Sequence, residues 1–341
     1  MAEGYRALVM ATLRDLKKRL RAVKNTQKIT KAMKMVAASK LRRAQNAIIQ
    51  ARPYATRMDE VLQHIVKTTD VSAHPLMAVR QPRRVELVVM TSNRGLCGSF
   101  NSNIIRTAET FLRENKAKYE SIGLSTIGRK GTDHFRRRGL TLSNSWDELW
   151  ENLKFERAAE VSVNLANRYA RGELDAVYLC YNEFKSAISQ QAVVAQLLPI
   201  KPLDGWEEHA PVRIGDLASV SGNAAAVAGL SGDHDVQSSD TDWTPSMALE
   251  TETEGYEHAY EPGRAEVLDV LLPQHLAAQI WRAVLESMAA EHGARMSAMD
   301  AASRNAKDLI EKITLQANRV RQASITTELM EIVSGAEALK G

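Results

Sequence analysis

The sequence predicts an α/β unit carried between two long terminal helices that pair with each other as an antiparallel coiled coil. Three observations predict it. About forty residues near the N terminus contain no helix breaker and repeat apolar or small residues at three- and four-residue steps. About sixty residues at the C terminus behave the same way. The segment between them switches to short β-branched runs separated by amphipathic stretches.

The first proline is Pro53, and after Gly4 the next glycine is Gly95, so nothing interrupts a helix from Thr12 to Arg52. Thr12 is placed as the N-cap, with Asp15 near the positive end of the helix dipole. Leu13, Leu16, Leu20, Val23, Gln27, Thr30, Ala37, Leu41, Ala44 and Ile48 then form a heptad seam, with one step passing through Lys34. About 40 residues at ~1.5 Å each give a rod of roughly 60 Å. At the other end, Gly293 is the one glycine between Gln274 and Ser334, with Pro273 placed in the first turn and Gly335 as the C-terminal cap. Leu309, Ile313, Gln316, Val320, Ala323, Thr327 and Met330 supply a second seam, on a rod of roughly 90 Å. Two such rods at the ends of one chain pair most simply as an antiparallel coil.

In the middle, strands are expected at Val85 to Thr91, Ile122 to Ile127, Leu174 to Tyr181 and Ala192 to Ile200, with helices at Asn103 to Tyr119 and Asp147 to Tyr169. Alternating strands and helices imply a mainly parallel, Rossmann-like sheet. From Gly205 to Pro262 the chain holds twelve acids against one base, Arg213, and reads as an acidic insertion. The expected organisation is therefore an N-terminal extension (1–10), a first coil helix (11–60), the α/β domain (61–205), the insertion (206–262) and the second coil helix (263–341). Met10 is a second plausible start, which would make residues 1–9 dispensable.

Composition narrows function. The net charge is only +4, but Arg14 to Arg43 holds twelve bases against Asp15 alone. These bases interleave with the seam instead of preceding it, which argues for a solvated or protein-apposed face over a reader of DNA grooves. No apolar run approaches the 18 or so residues of a membrane span, so neither secretion nor membrane insertion is expected. Two cysteines make no disulfide framework. Neither GxxxxGK[ST] nor a GxGxxG after the first strand occurs, and Gly128 to Gly131 (GRKG) reads as a plain turn lacking the hydroxyl that would hold Mg²⁺. Cys97 in GLCG has no base placed by motif to activate it and Cys180 is expected in the core, while His209, His234 and His258 in the insertion read as polar filler before metal ligands. No catalytic residue, metal or cofactor is expected. The rival readings are an enzyme built on the α/β domain and a coiled-coil scaffold or nucleic-acid binder.

Three blocks resemble one family. Leu13 to Gln45 (LRDLKKRLRAVKNTQKITKAMKMVAASKLRRAQ), Ser92 to Asn101 (SNRGLCGSFN) and Ala294 to Leu339 (beginning ARMSAMDAASRNAKDLI) are similar, in that order, to the gamma subunits of F-type ATP synthases. The resemblance spans nearly everything but residues 1–10 and 206–262. It implies a non-catalytic rotor whose coil lies on the axis of a hexamer of alternating alpha and beta subunits, with the α/β domain below, near the epsilon subunit and the membrane ring of c-subunits. Proton flow would turn the ring and gamma would transmit torque. By the same resemblance Lys28, Lys31, Met33, Met35, Arg295, Arg321, Gln322, Thr326 and Glu328 would face alpha and beta subunits, Arg321 and Gln322 at a catch loop of beta. A bacterial complex at the cytoplasmic face of the inner membrane is expected. The insertion departs from the common pattern; the chloroplast form has a thiol-regulated insertion in a comparable place, but this one contains no cysteine.

Overall fold

The computed structural model describes residues 2–68, 74–151, 153–186, 189–200, 261 and 263–338. The acidic insertion expected at 206–262, with its three histidines, lies outside the described residues except for Glu261.

Two helices dominate. α1 runs from Ala2 to Thr68 and α5 from Arg264 to Ala338, about 100 and 110 Å of helix. Both run past the caps expected at Thr12, Pro273 and Gly335. Thr12 lies inside α1 and not at its start, because Ala, Glu, Arg and Leu are strong helix formers and a single Gly4 costs only about 1 kcal/mol. Pro53 lies inside α1 and Pro273 inside α5, and α5 also passes through Gly335. A proline inside a helix costs about 3 kcal/mol, and burial on its far side offsets it. Met58, Leu62 and Ile65 beyond Pro53, and Leu268 and Leu272 before Pro273, sit in one core cluster.

The helices are antiparallel. Lys34 meets Asp300 and Asp59 meets His275, so rising numbers on one match falling numbers on the other. Every predicted seam residue of α1 from Leu13 to Ile48 is buried or half-buried. On α5 the seam is turned by one position: Ile313, Val320 and Thr327 face inward as expected, but Leu309, Gln316, Ala323 and Met330 are exposed. Ala306, Ile310, Ala317 and Ser324 take the inward places.

Between the helices lies a five-stranded sheet: β1 (Arg84–Met90), β2 (Ser121–Ile127), β3 (Asn144–Ser145), β4 (Ala176–Phe184) and β5 (Gln190–Leu198). The order is β3-β2-β1-β4-β5, with β1 to β4 parallel and β5 antiparallel to β4. β1 is central and buried from Val85 to Met90, as a strand covered on both faces must be. α2 (Phe100–Asn115) and α3 (Arg129–Arg137) cover one face through Phe100, Ile104 and Phe135. α4 (Phe155–Ala170), the end of α1 and the start of α5 cover the other. The helix expected from Asp147 is a single 3-10 turn, Asp147–Trp150, before α4 begins. Both helices of the coil thus share the core of the α/β unit at its base and leave it as a free two-helix rod.

Candidate functional site

In an open sheet of this order a ligand would bind outside the C-terminal ends of β1 and β4, where the strand order reverses. Here that crevice is filled by the chain itself. Gly98, with φ +57, lies against Ala294 and Ala298 of α5, and the Arg295 guanidinium donates to the carbonyls of Gly95 (3.2 Å) and Arg94 (3.5 Å). Ser287 Oγ accepts the amide of Asn182 at 3.2 Å, tying β4 to the same helix.

The turn after β1 is occupied in the same way. The Ser92 amide donates to Asn101 Oδ1 at 3.0 Å, and Asn101 Nδ2 donates to Cys97 Sγ at 3.2 Å. Leu96 is held at φ +64, a left-handed conformation that costs a non-glycine residue roughly 1 kcal/mol. The amides that open α3, the natural place for a phosphate, are all taken. Arg129 N donates to Asn93 Oδ1 (2.9 Å), Lys130 N to Ser92 O (3.1 Å), Gly131 N to Thr91 Oγ1 (2.7 Å) and Thr132 N to Gly128 O (3.3 Å). GRKG is a helix start welded to the neighbouring strand.

Electrostatics agree. Burial pushes the Cys97 thiol up and carries the Cys180 thiol to about 12, so neither is a poised nucleophile. Next to the turn, burial followed by the charges of Arg295 and Lys40 lowers His292 to about 4, leaving it neutral at ordinary pH. Burial raises Glu291 while Arg295, 2.7 Å away, opposes the rise. Among the described residues no group of three or more His, Cys, Asp and Glu is arranged to hold a metal.

What remains is surface. Lys28, Lys31 and Met35 are exposed on α1, Met35 by 61%, and Met33 is half-buried. Arg321, Gln322 and Thr326 are exposed on α5, with the Thr326 hydroxyl turned back to the Gln322 carbonyl at 3.0 Å, and Glu328 is half-buried. These two groups do not form one patch: taking Lys34 opposite Asp300 as register, Arg321 lies about 20 Å farther along the coil than Lys28. Arg295 belongs with neither, since its side chain is 12% exposed and spent on Glu291 and the 94–95 turn. The sequence reading missed a further set, the exposed apolar residues Ile29, Val36, Leu315, Ile325, Leu329 and Ile332 along the free rod. Their signal was present as apolar residues off the heptad seam.

The chain has clear relatives. A family profile described as ATP synthase matches residues 12–339. The ATP synthase gamma chain of Anaeromyxobacter sp. (strain Fw109-5) is 47% identical over 334 residues, covering 97% of this chain and 100% of its own. That of Geobacter metallireducens is 44% identical over 332 residues with the same coverage. Among solved structures, a chain of the Tetrahymena thermophila mitochondrial ATP synthase central stalk and c-ring is 26% identical with a TM-score of 0.54, over 81% of this chain and 99% of that one. A chain of the Euglena gracilis mitochondrial ATP synthase rotor has a TM-score of 0.57 at 20% identity, over 92% and 99%, and shares the fold.

Proposed function

The chain belongs to the ATP synthase gamma family, and from that premise we propose that it is the central rotor shaft of an F-type ATP synthase, non-catalytic itself and carrying torque between a membrane ring and a catalytic head. One observation carries the reading: a slim two-helix rod, free of the α/β unit along about half of its length, exposes Ile29, Val36, Leu315, Ile325, Leu329 and Ile332. Apolar residues repeated along a free rod mark a surface meant to be enclosed. A small-residue seam with Ala37 and Ala44 lets the helices approach closely, which keeps the rod narrow enough for a bore.

The head in this reading is a hexamer of alternating alpha and beta subunits around the rod, with Lys28, Lys31, Met33, Met35, Arg321, Gln322, Thr326 and Glu328 among the residues facing it. The exposure of Lys28, Lys31, Met35, Arg321, Gln322 and Thr326 supports that role. Arg295 acts from inside, by bracing the 94–95 turn. The α/β unit sits below the hexamer, against the epsilon subunit and the ring of c-subunits. No helix among the described residues is long and apolar enough to cross a membrane, which agrees with peripheral attachment, in a bacterium at the cytoplasmic face. Co-expression with alpha and beta subunits tests the proposal: the expected result is a stable complex with one copy of this chain per hexamer. A chain that elutes alone, leaving the hexamer intact, overturns it.

A further inference from the structure

Lys34 is out of character with its neighbours. It is the one charged residue in the α1 seam from Leu13 to Ile48, set between Thr30 (8% exposed) and Ala37 (1% exposed). A charge at such a position lowers coil stability and specifies which groups lie opposite it. Opposite it is Asp300, whose Oδ1 accepts from Lys34 Nζ, while Oδ2 accepts from Arg304 at 2.6 Å. Asp300 stands beside Met299 (5% exposed), nearly two turns before Ala306 (7% exposed), both packed into the seam.

The location matters as much as the chemistry. The contacts that hold α5 to the α/β unit run up to Arg295, braced on the 94–95 turn, and Ala298, against Gly98. Asp300 is two residues farther on. Beyond it the two helices pack on each other, and the nearest seam residues, Thr30 and Ala306, bury little apolar area at ~25 cal/mol per Å². A shift of one heptad either way is also disfavoured: Lys34 would face Lys307 or Gly293, and Asp300 would face Leu41 or Gln27.

We infer that Lys34 and Asp300 form a positioning pair that fastens the two helices where the coil leaves the α/β unit, so that both helices of the free rod move as one body. The part of this concerning torque rests on the rotor reading. Arg304 braces the carboxylate on the side away from Lys34.

The test uses the assembled complex with Lys34→Gln, Asp300→Asn, the double variant and Lys34→Arg. Spin labels on cysteines introduced at Lys24 and Glu311, with Cys97 and Cys180 replaced by alanine, report the distance between the helices. Lys34→Gln and Asp300→Asn are each expected to enlarge the separated population about 1.5- to 5-fold, the range for a partly exposed ion pair. They should also lower proton pumping per ATP hydrolysed. The double variant should be no worse than either single one, since all remove the same contact, and Lys34→Arg should behave as wild type. An unchanged distance distribution in both single variants overturns the proposal. So does lost pumping with unchanged distances, which would make Lys34 a contact to another subunit. Failure of the unaltered chain to join the hexamer would refute the rotor reading instead, leaving the distance measurement on the chain alone to decide the fastener.

Discussion

Individual residues in this chain are committed to holding elements together, and the clearest case is Gly128. It has φ +105, and a Cβ there would stand 2.0 Å from the Thr91 carbonyl oxygen. Gly128→Ala therefore combines a left-handed backbone with a clash against main chain, and should cost about 3 kcal/mol. A thermal melt followed by circular dichroism should show the loss; an unchanged melting temperature would mean that the β2-α3 turn can move aside. Asp175 is a second. Burial pushes its carboxyl up, but the amides of Arg84 (2.8 Å) and Arg83 (3.1 Å) and the Arg84 guanidinium outweigh it and hold the pKa below the ordinary value. A depressed carboxylate stabilises above its unfolded pKa and loses that contribution as pH falls through the folded one, so the window opens below about pH 4. Asp175→Asn should be less stable than wild type at pH 7 and converge with it toward pH 3. Parallel melting curves across that range would exclude the mechanism.

At the scale of elements, the coil explains both what was legible in the sequence and what was not. The α1 seam could be read residue by residue, because the positions off it between Leu13 and Ile48 are polar or small apart from Ile29, Met33, Met35 and Val36. On α5 the reading was right at Ile313, Val320 and Thr327 and one position off at Leu309, Gln316, Ala323 and Met330. The cause is physical. Leu315, Ile325, Leu329 and Ile332 are apolar yet point outward, so periodicity could not separate the face turned to α1 from a face kept for something else. Helix ends failed for a related reason, since local rules stop a helix before Pro53 and start one at Pro273, and both are overridden by shared burial around Leu62 and Leu272. The α/β strands were legible because they are short β-branched runs. The filling of the crevice by α5 was not, because it depends on contacts roughly 200 residues apart, such as Arg295 with Gly95. The slim seam yields a prediction at this scale. Ala44 is fully buried against the helix bearing Ala289, and Ala44→Leu should force the helices apart at a cost of about 1–3 kcal/mol. Purified variant and wild type compared by urea unfolding would show it; an equal midpoint would mean that the seam has slack.

For the molecule as a whole, stability and function are expected to divide along its length. The apolar mass sits at the base, where the ends of α1 and α4, the start of α5 and one sheet face form a single cluster from Met58 to Val284. From Arg321 onward α5 offers only half-buried or exposed residues among those described, with Ile332 exposed by 71%. Removing residues 321–341 should therefore change the melting of the base by less than about 1 kcal/mol, as a surface change does. The same removal takes away Arg321, Gln322, Thr326 and Glu328 together with the outward Leu329 and Ile332, so assembly with the hexamer and pumping per ATP should fall much further than stability. Measuring both on one truncated chain separates two kinds of rod. A structural rod that merely props the α/β unit would lose both or neither, whereas a shaft completed by its surroundings keeps its fold and loses its grip.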